Sequence, residues 1–256
     1  MELRFLALCS ERPVTVTPYS ELKNVALGVS SLCDSNLHRW TAWGESQSRK
    51  LLDTGVTLQH EASIWSLAMY PQLPDEAVDI QPFCRPQRGQ PCLFMLSGDL
   101  PGIVDNERYP VGDQWPLSCT DQERAFCLLQ ERMRKLWGEG RPDSEMRLAL
   151  IADYAGRLER LGQHQFIYWD GEMLFVYSSV ECDDGLAYIS LQAWKDVADL
   201  PVQLAIQADA EVQGVIVGHR SLLPAKASLI GAGSTLCFMQ GNLAGSCDPV
   251  DFWSGL

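Results

Sequence analysis

Residues 1–10 read MELRFLALCS. In an extended chain Leu3, Phe5, Ala7 and Cys9 point to one side, and Glu2, Arg4, Leu6 and Leu8 to the other. A stretch this apolar on both faces predicts a strand held between two layers, not an edge strand. It is too short to span a bilayer, has no basic leader and carries no small-residue cleavage site, so neither an anchor nor an export signal is expected. Terminal residues usually fray. An opening strand inside the core therefore implies that the start of the chain has a fixed place in the fold.

Composition sets the outer limits. The chain has 256 residues, of which 46% are hydrophobic, enough for one large core, and a single domain over 1–256 is expected. The formal net charge of −13 argues against nucleic acid and anionic membrane surfaces as partners. The nine cysteines are scattered, with no CxxC pair and none at zinc-finger distance from a histidine. They read as reduced thiols filling a cytoplasmic core. No metal site and no cofactor is expected. His38, His60, His164 and His219 show no spacing that suggests a triad or a metal centre.

Outward from the first strand, Pro13 to Pro18 reads as a turn region and Glu21 to Leu32 as a helix with Leu22, Val25 and Val29 on one face. His38 to Glu45 runs into a strand, and Ala62 to Tyr70 is a second buried one. Thr120 and Glu123 have capping-box spacing. The helix after them places Ala125, Leu128, Leu129, Met133 and Leu136 on one stripe. Gly138, Gly140 and Pro142 interrupt the pattern. Asp143 to Leu161 is a second amphipathic helix with Leu148, Ile151, Tyr154 and Leu158 along its stripe. Asp170-Gly171 between two apolar runs predicts a hairpin. Val215 to Val217 and Thr235 to Met239 read as late strands, with Gly231-Ala232-Gly233 as a turn before the last. The tail after Gly245 is uninformative.

Several of these stretches carry a family likeness. Arg4-Phe5-Leu6-Ala7-Leu8, Trp43-Gly44 after His38, Pro82-Phe83, the run Leu93–Gly102 (LFMLSGDLPG) and above all Thr120–Phe126 (TDQERAF) resemble class II glutamine amidotransferases, especially small stand-alone bacterial members. The resemblance implies an α+β fold: a four-layer αββα sandwich of two antiparallel sheets, as in the N-terminal nucleophile hydrolases. In those enzymes the first residue is both nucleophile and, through its amine, base. The nucleophilic Cys position falls on Leu3. The Arg that grips the glutamine carboxylate falls on Ala68, the oxyanion-hole Asn and Gly on Ser97 and Gly98, and the residue that binds the α-amino group on Asp121. The chemistry needs donors aimed at a developing oxyanion and a fixed guanidinium fork for the carboxylate. Leu3 and Ala68 supply neither, and Ser97 reaches less far than an Asn.

Each retained residue also has a structural reading. Trp43-Gly44 can be a packed aromatic beside a close backbone contact. Ser97-Gly98-Asp99 can be a plain turn between two strands, and Asp121 can simply favour a helix N-terminus. Cys9 is a poor substitute nucleophile, since six residues of strand, about 20 Å, separate it from Leu3. Cys84 and Cys92 flank the inferred site without a histidine motif. The sequence thus predicts an inactive relative that binds a protein partner or a small ligand. The alternative is a divergent amidohydrolase or amidotransferase working on glutamine or another amide in the same cleft.

Overall fold

The computed structural model describes residues 3–20, 26–33, 36–44, 46–48, 61–104, 108–138, 140–179, 185–194, 202–209 and 211–248. The opening strand β1 (Arg4–Ser20) forms as its alternation predicts. Leu3, Phe5, Ala7 and Cys9 enter a cluster between two sheets, while Leu6 and Leu8 enter a second cluster on the outer face. Each large apolar side chain so buried contributes about 1.5–3 kcal/mol, which is why β1 sits at the centre of its sheet.

The strand does not stop at Pro13. It bends through a register shift between Cys9 and Val14 and continues. Pro13 is exposed at that irregularity, where a missing N–H costs little. The expected turn over Pro13–Pro18 is therefore corrected to a bulged strand. The helix expected over 21–32 is corrected as well, because β2 (Ala26–Cys33) occupies its described part. That strand lies between β3 (Asn36–Trp43) and β4 (Glu61–Tyr70), hydrogen-bonded on both sides, and pairing outweighs a weak helical periodicity. Residues 21–25 lie outside the described residues.

Next come β5 (Phe83–Gln87), β6 (Gln90–Gly98), α1 (Asp121–Gly138), α2 (Ser144–Leu158), β7 (His164–Trp169) and β8 (Met173–Ser178). The chain then forms β9 (Leu186–Ser190), the short α3 (Leu191–Trp194), β10 (Val202–Gln207), β11 (Gly214–His219), β12 (Ser228–Leu229), β13 (Thr235–Met239) and β14 (Asn242–Cys247). One antiparallel sheet runs β12-β9-β11-β1-β4-β2-β3, with β10 on the far half of β1; the other runs β14-β13-β8-β7-β6-β5. The fold is an α+β sandwich of two antiparallel sheets. Facing side chains of both sheets fill the middle, and α1 and α2 cover the outside of the second through Phe94, Phe126, Tyr154 and Phe166. Asp143, where the second helix is expected to begin, caps α2: its carboxylate accepts from the Met146 N–H at 2.8 Å. The hairpin at Asp170-Gly171 forms between β7 and β8, with Gly171 at φ 103°.

Candidate functional site: a cleft at the start of the first strand

The register across the first sheet builds one end of a cleft. Arg4 pairs with Met69, Met69 with Leu27 and Leu27 with Ala42. One residue further along, Tyr70 pairs with Ala26 and Ala26 with Trp43. Leu3, just before Arg4, belongs to that same end. The facing sheet contributes the end of β6, and the N-terminus of α1 closes the side. Leu3, Tyr70, Ser97, Gly98, Thr120 and Gln122 line a cavity of about 310 Å³ together with Gln72, Asp75, Asp79 and Gln81. It is open and half polar. Trp65 and Met69 leave it free, since both pack into the outer cluster.

A hydrogen-bonded clamp shapes the floor. The Tyr70 hydroxyl donates to the Asp79 carbonyl (3.2 Å) and accepts from the Gln81 N–H (2.7 Å). The Gln81 side chain donates to the Leu96 carbonyl (3.0 Å) and accepts from the Leu96 N–H (2.6 Å). One amide thus stands in for a strand partner and locks residues 79–81 to β6. The segment can lie this close only because Gly28 has no side chain: a Cβ there would fall 1.6 Å from the Gln81 carbonyl oxygen. Ala68, paired with Gly28 and Phe5, is fully buried in the same row. It sits among the inter-sheet residues and does not line the cleft.

Ser97 and Gly98 both reach the cleft. Ser97 is 8% exposed. Gly98, at φ 121°, lies against the backbone of β7, where a Cβ would meet the Gln163 carbonyl oxygen at 2.3 Å. The turn expected here between two strands is instead the exit from β6 toward α1. Gln122 donates to the Gly98 carbonyl at 2.8 Å and ties the two together. The α1 cap forms in part as its spacing predicts: the Thr120 hydroxyl accepts from the Glu123 N–H at 3.3 Å. The Glu123 carboxylate, however, reaches back to the N–H groups of Leu117 (2.8 Å) and Ser118 (2.5 Å) and pairs with Arg85 (2.6 Å).

Asp121 is half-buried and does not line the cleft. Burial raises its carboxyl above the ordinary value, the Leu100 N–H acts in the opposite sense, and Asp99 nearby adds to the rise. Trp43 is half-buried, packs on the inter-sheet cluster and lies two strands from Tyr70, about 10 Å at the usual strand spacing. Its N–H donates to Gln47 (3.0 Å), and Gly44 follows at φ 93°. The fold therefore brings Leu3, Ser97 and Gly98 together. Asp121, Ala68, Trp43 and Gly44 stand around them, outside the lining.

Cys9, Cys84 and Cys92 are held as thiols by their surroundings. Burial pushes Cys9 up to about 11, and Cys84 and Cys92 up to about 12. No group of His, Cys, Asp and Glu among the described residues could hold a metal ion, and no helix among them is long and apolar enough to cross a membrane.

One polar contact had no signal in the sequence. His219, at the end of the apolar run of β11, is 1% exposed between the sheets. Its Nδ1 accepts from the Phe5 N–H at 3.0 Å. The other ring nitrogen, Nε2, lies 2.8 Å from the Gln165 amide nitrogen; with the neutral ring's proton on Nε2, that amide has to turn its oxygen inward to accept it. Gln165 pairs with Ser97. The bridge thus ties the start of β1 to the strand beside the cleft. A lone His closing a strand carries no spacing from which this could be read.

Two antiparallel sheets face to face, with the opening strand central and Leu3, just before it, lining a cleft, define the amidotransferase-type sandwich. A sequence profile described as glutamine amidotransferases class-II matches residues 74–253, and the chain belongs to that family. The fold is similar to that of a predicted glutamine amidotransferase from Pseudomonas aeruginosa PA01 (18% identity, TM-score 0.69, 96% of this chain and 100% of that one). It is also similar to a glutamine aminotransferase class-II domain protein from Silicibacter pomeroyi (14% identity, TM-score 0.56, 96% and 98%). A third similar structure is the glutamine phosphoribosylpyrophosphate amidotransferase from B. subtilis (10% identity, TM-score 0.58, 96% of this chain and 49% of that one). No curated protein sequence matches the chain.

Proposed function

We propose that this member of the class II glutamine amidotransferase family does not hydrolyse glutamine and acts by binding, with the cleft beside Leu3 receiving a small ligand or a segment of a partner protein. The observation that carries the reading is the lining itself. Leu3 has no nucleophilic atom, and among the described residues the lining hydroxyls belong to Ser97, Thr120 and Tyr70, with no His, Lys, Arg or Cys beside them. A hydroxyl without an adjacent base is a weak nucleophile, and an α-carboxylate without a cation beside Asp75 and Asp79 is poorly held.

Purified protein is incubated with glutamine and the released ammonia measured. Release at the buffer background is expected, and it stays there in Leu3→Cys, because a thiol alone does not supply the carboxylate grip missing at Ala68. Turnover by the wild-type chain that one substitution abolishes would refute the proposal.

A second reading is supported by the openness of the cleft: a divergent amidohydrolase using Ser97. It predicts turnover of some member of an amide panel, lost in Ser97→Ala. Uniform background across the panel eliminates it.

A further inference from the structure

A second concavity lies on the opposite, helical side of the second sheet and shares no lining residue with the cleft. It is a cavity of about 360 Å³ between α1, α2 and the segment 108–110, a volume within the range of small-molecule sites. Leu128, Tyr154, Leu158 and Leu161 form an apolar floor. The rim is cationic, although the protein as a whole carries −13.

Among the described residues, the carboxylates at the rim are outnumbered. Asp153 serves two guanidiniums at once, Arg132 and Arg157 (2.8 Å). Glu131 serves Arg134 (2.8 Å) and Lys135 (3.3 Å). Arg160 has no ion-pair or hydrogen-bond partner among the described residues and is exposed at the end of α2. A guanidinium has five N–H donors in a planar fork. Two forks sharing one carboxylate, plus a third with none, leave donors in excess above an apolar floor.

We propose that this cavity is a binding site for an organic anion with an apolar body, an aryl phosphate or aryl carboxylate, whose ring rests on Leu128, Leu158 and Leu161 while its charged group meets Arg160, Lys135 and Arg132. Neither half of the site is enough alone. The rim charges are solvated and screened, so a bare anion gains little. The floor is small, so a neutral ring gains only its own burial. α1 runs from Gln122 at the cleft to Lys135 at this rim, about 20 Å of helix, and the two sites can be perturbed separately.

The test titrates the full chain with 1-naphthyl phosphate by calorimetry, with inorganic phosphate and 1-naphthol as separate probes. One saturable site for naphthyl phosphate is expected, with both other probes at least about tenfold weaker. Its affinity should fall severalfold between low and physiological salt. Arg160→Glu should weaken it about tenfold and Lys135→Gln about threefold. Both side chains are solvent-facing, and unchanged far-UV circular dichroism verifies the fold. Equal affinity in wild type and both variants overturns the proposal. So does inorganic phosphate or naphthol binding as tightly as naphthyl phosphate, or no binding of naphthyl phosphate below millimolar concentration. None of these results bears on ammonia release at the cleft.

Discussion

Replacing His164 with Phe is expected to flatten the acid side of the stability curve. His164 is fully buried on β7, facing the helices, with its ring 5.1 Å from Tyr177 and 6.1 Å from Phe166. Its Nδ1 lies 3.1 Å from the Gly162 carbonyl and therefore carries the proton. Nε2 is buried with no partner among the described residues. Protonation would add a charge and an N–H that nothing accepts. Burial accordingly lowers the ring from 6.5 to about 4, against a smaller opposing pull from the Gly162 carbonyl. The sign follows from linkage. The folded protein takes up this proton later than the unfolded chain does, so stability falls as pH drops from about 6.5 to about 4, then levels off. At about 1.4 kcal/mol per pH unit the loss is about 2 kcal/mol by pH 5 and about 3 kcal/mol by pH 4. Urea unfolding followed by tryptophan fluorescence at pH 7, 6, 5 and 4 measures it. His164→Phe keeps the stacking but loses the bond to Gly162, so it starts about 1 kcal/mol lower at pH 7. It then loses about 3 kcal/mol less than wild type on acidification, because carboxylates titrate alike in both proteins. Parallel curves for the two proteins would refute the reasoning.

Other perturbations test the packing that shapes the cleft. Gln81→Leu removes both bonds to the Leu96 backbone and is expected to cost about 2 kcal/mol or more in urea unfolding, because a buried N–H and a buried carbonyl lose their partner. Gly28→Ala places a methyl on the Gln81 carbonyl. The cost should be at least about 1–3 kcal/mol, read as a lowered melting temperature, and a neutral result would mean that residues 80–82 do not lie on β2. Arg147→Met strands Asp170, to which Arg147 donates at 3.0 Å in a buried site. A loss of about 3–5 kcal/mol is expected, with Arg147→Met/Asp170→Asn recovering part of it.

Much of this arrangement was legible along the chain. The alternation of residues 3–9, the start of a helix after Thr120 and the Asp-Gly hairpin are local signals, and each formed where it pointed because neighbouring residues set the geometry; of the capping box only the Thr120 half formed, because Glu123 pairs with Arg85. Where a local signal was weak, long-range pairing decided. Residues 26–33 form a strand because β3 and β4 offer hydrogen bonds on both sides, and β1 runs through Pro13 because β10 is there to continue it.

The site divides in the same way. Side-chain chemistry is a property of residue type, so the sequence by itself established that Leu3 and Ala68 bring neither a nucleophile nor a cation wherever they lie. Proximity is not such a property. Only the tertiary structure put Leu3, Ser97 and Gly98 around one open cleft, turned Ala68 into the inter-sheet core, and joined His219 to Phe5 across 214 residues of sequence. Such contacts depend on strand order and register, which no short window of residues encodes.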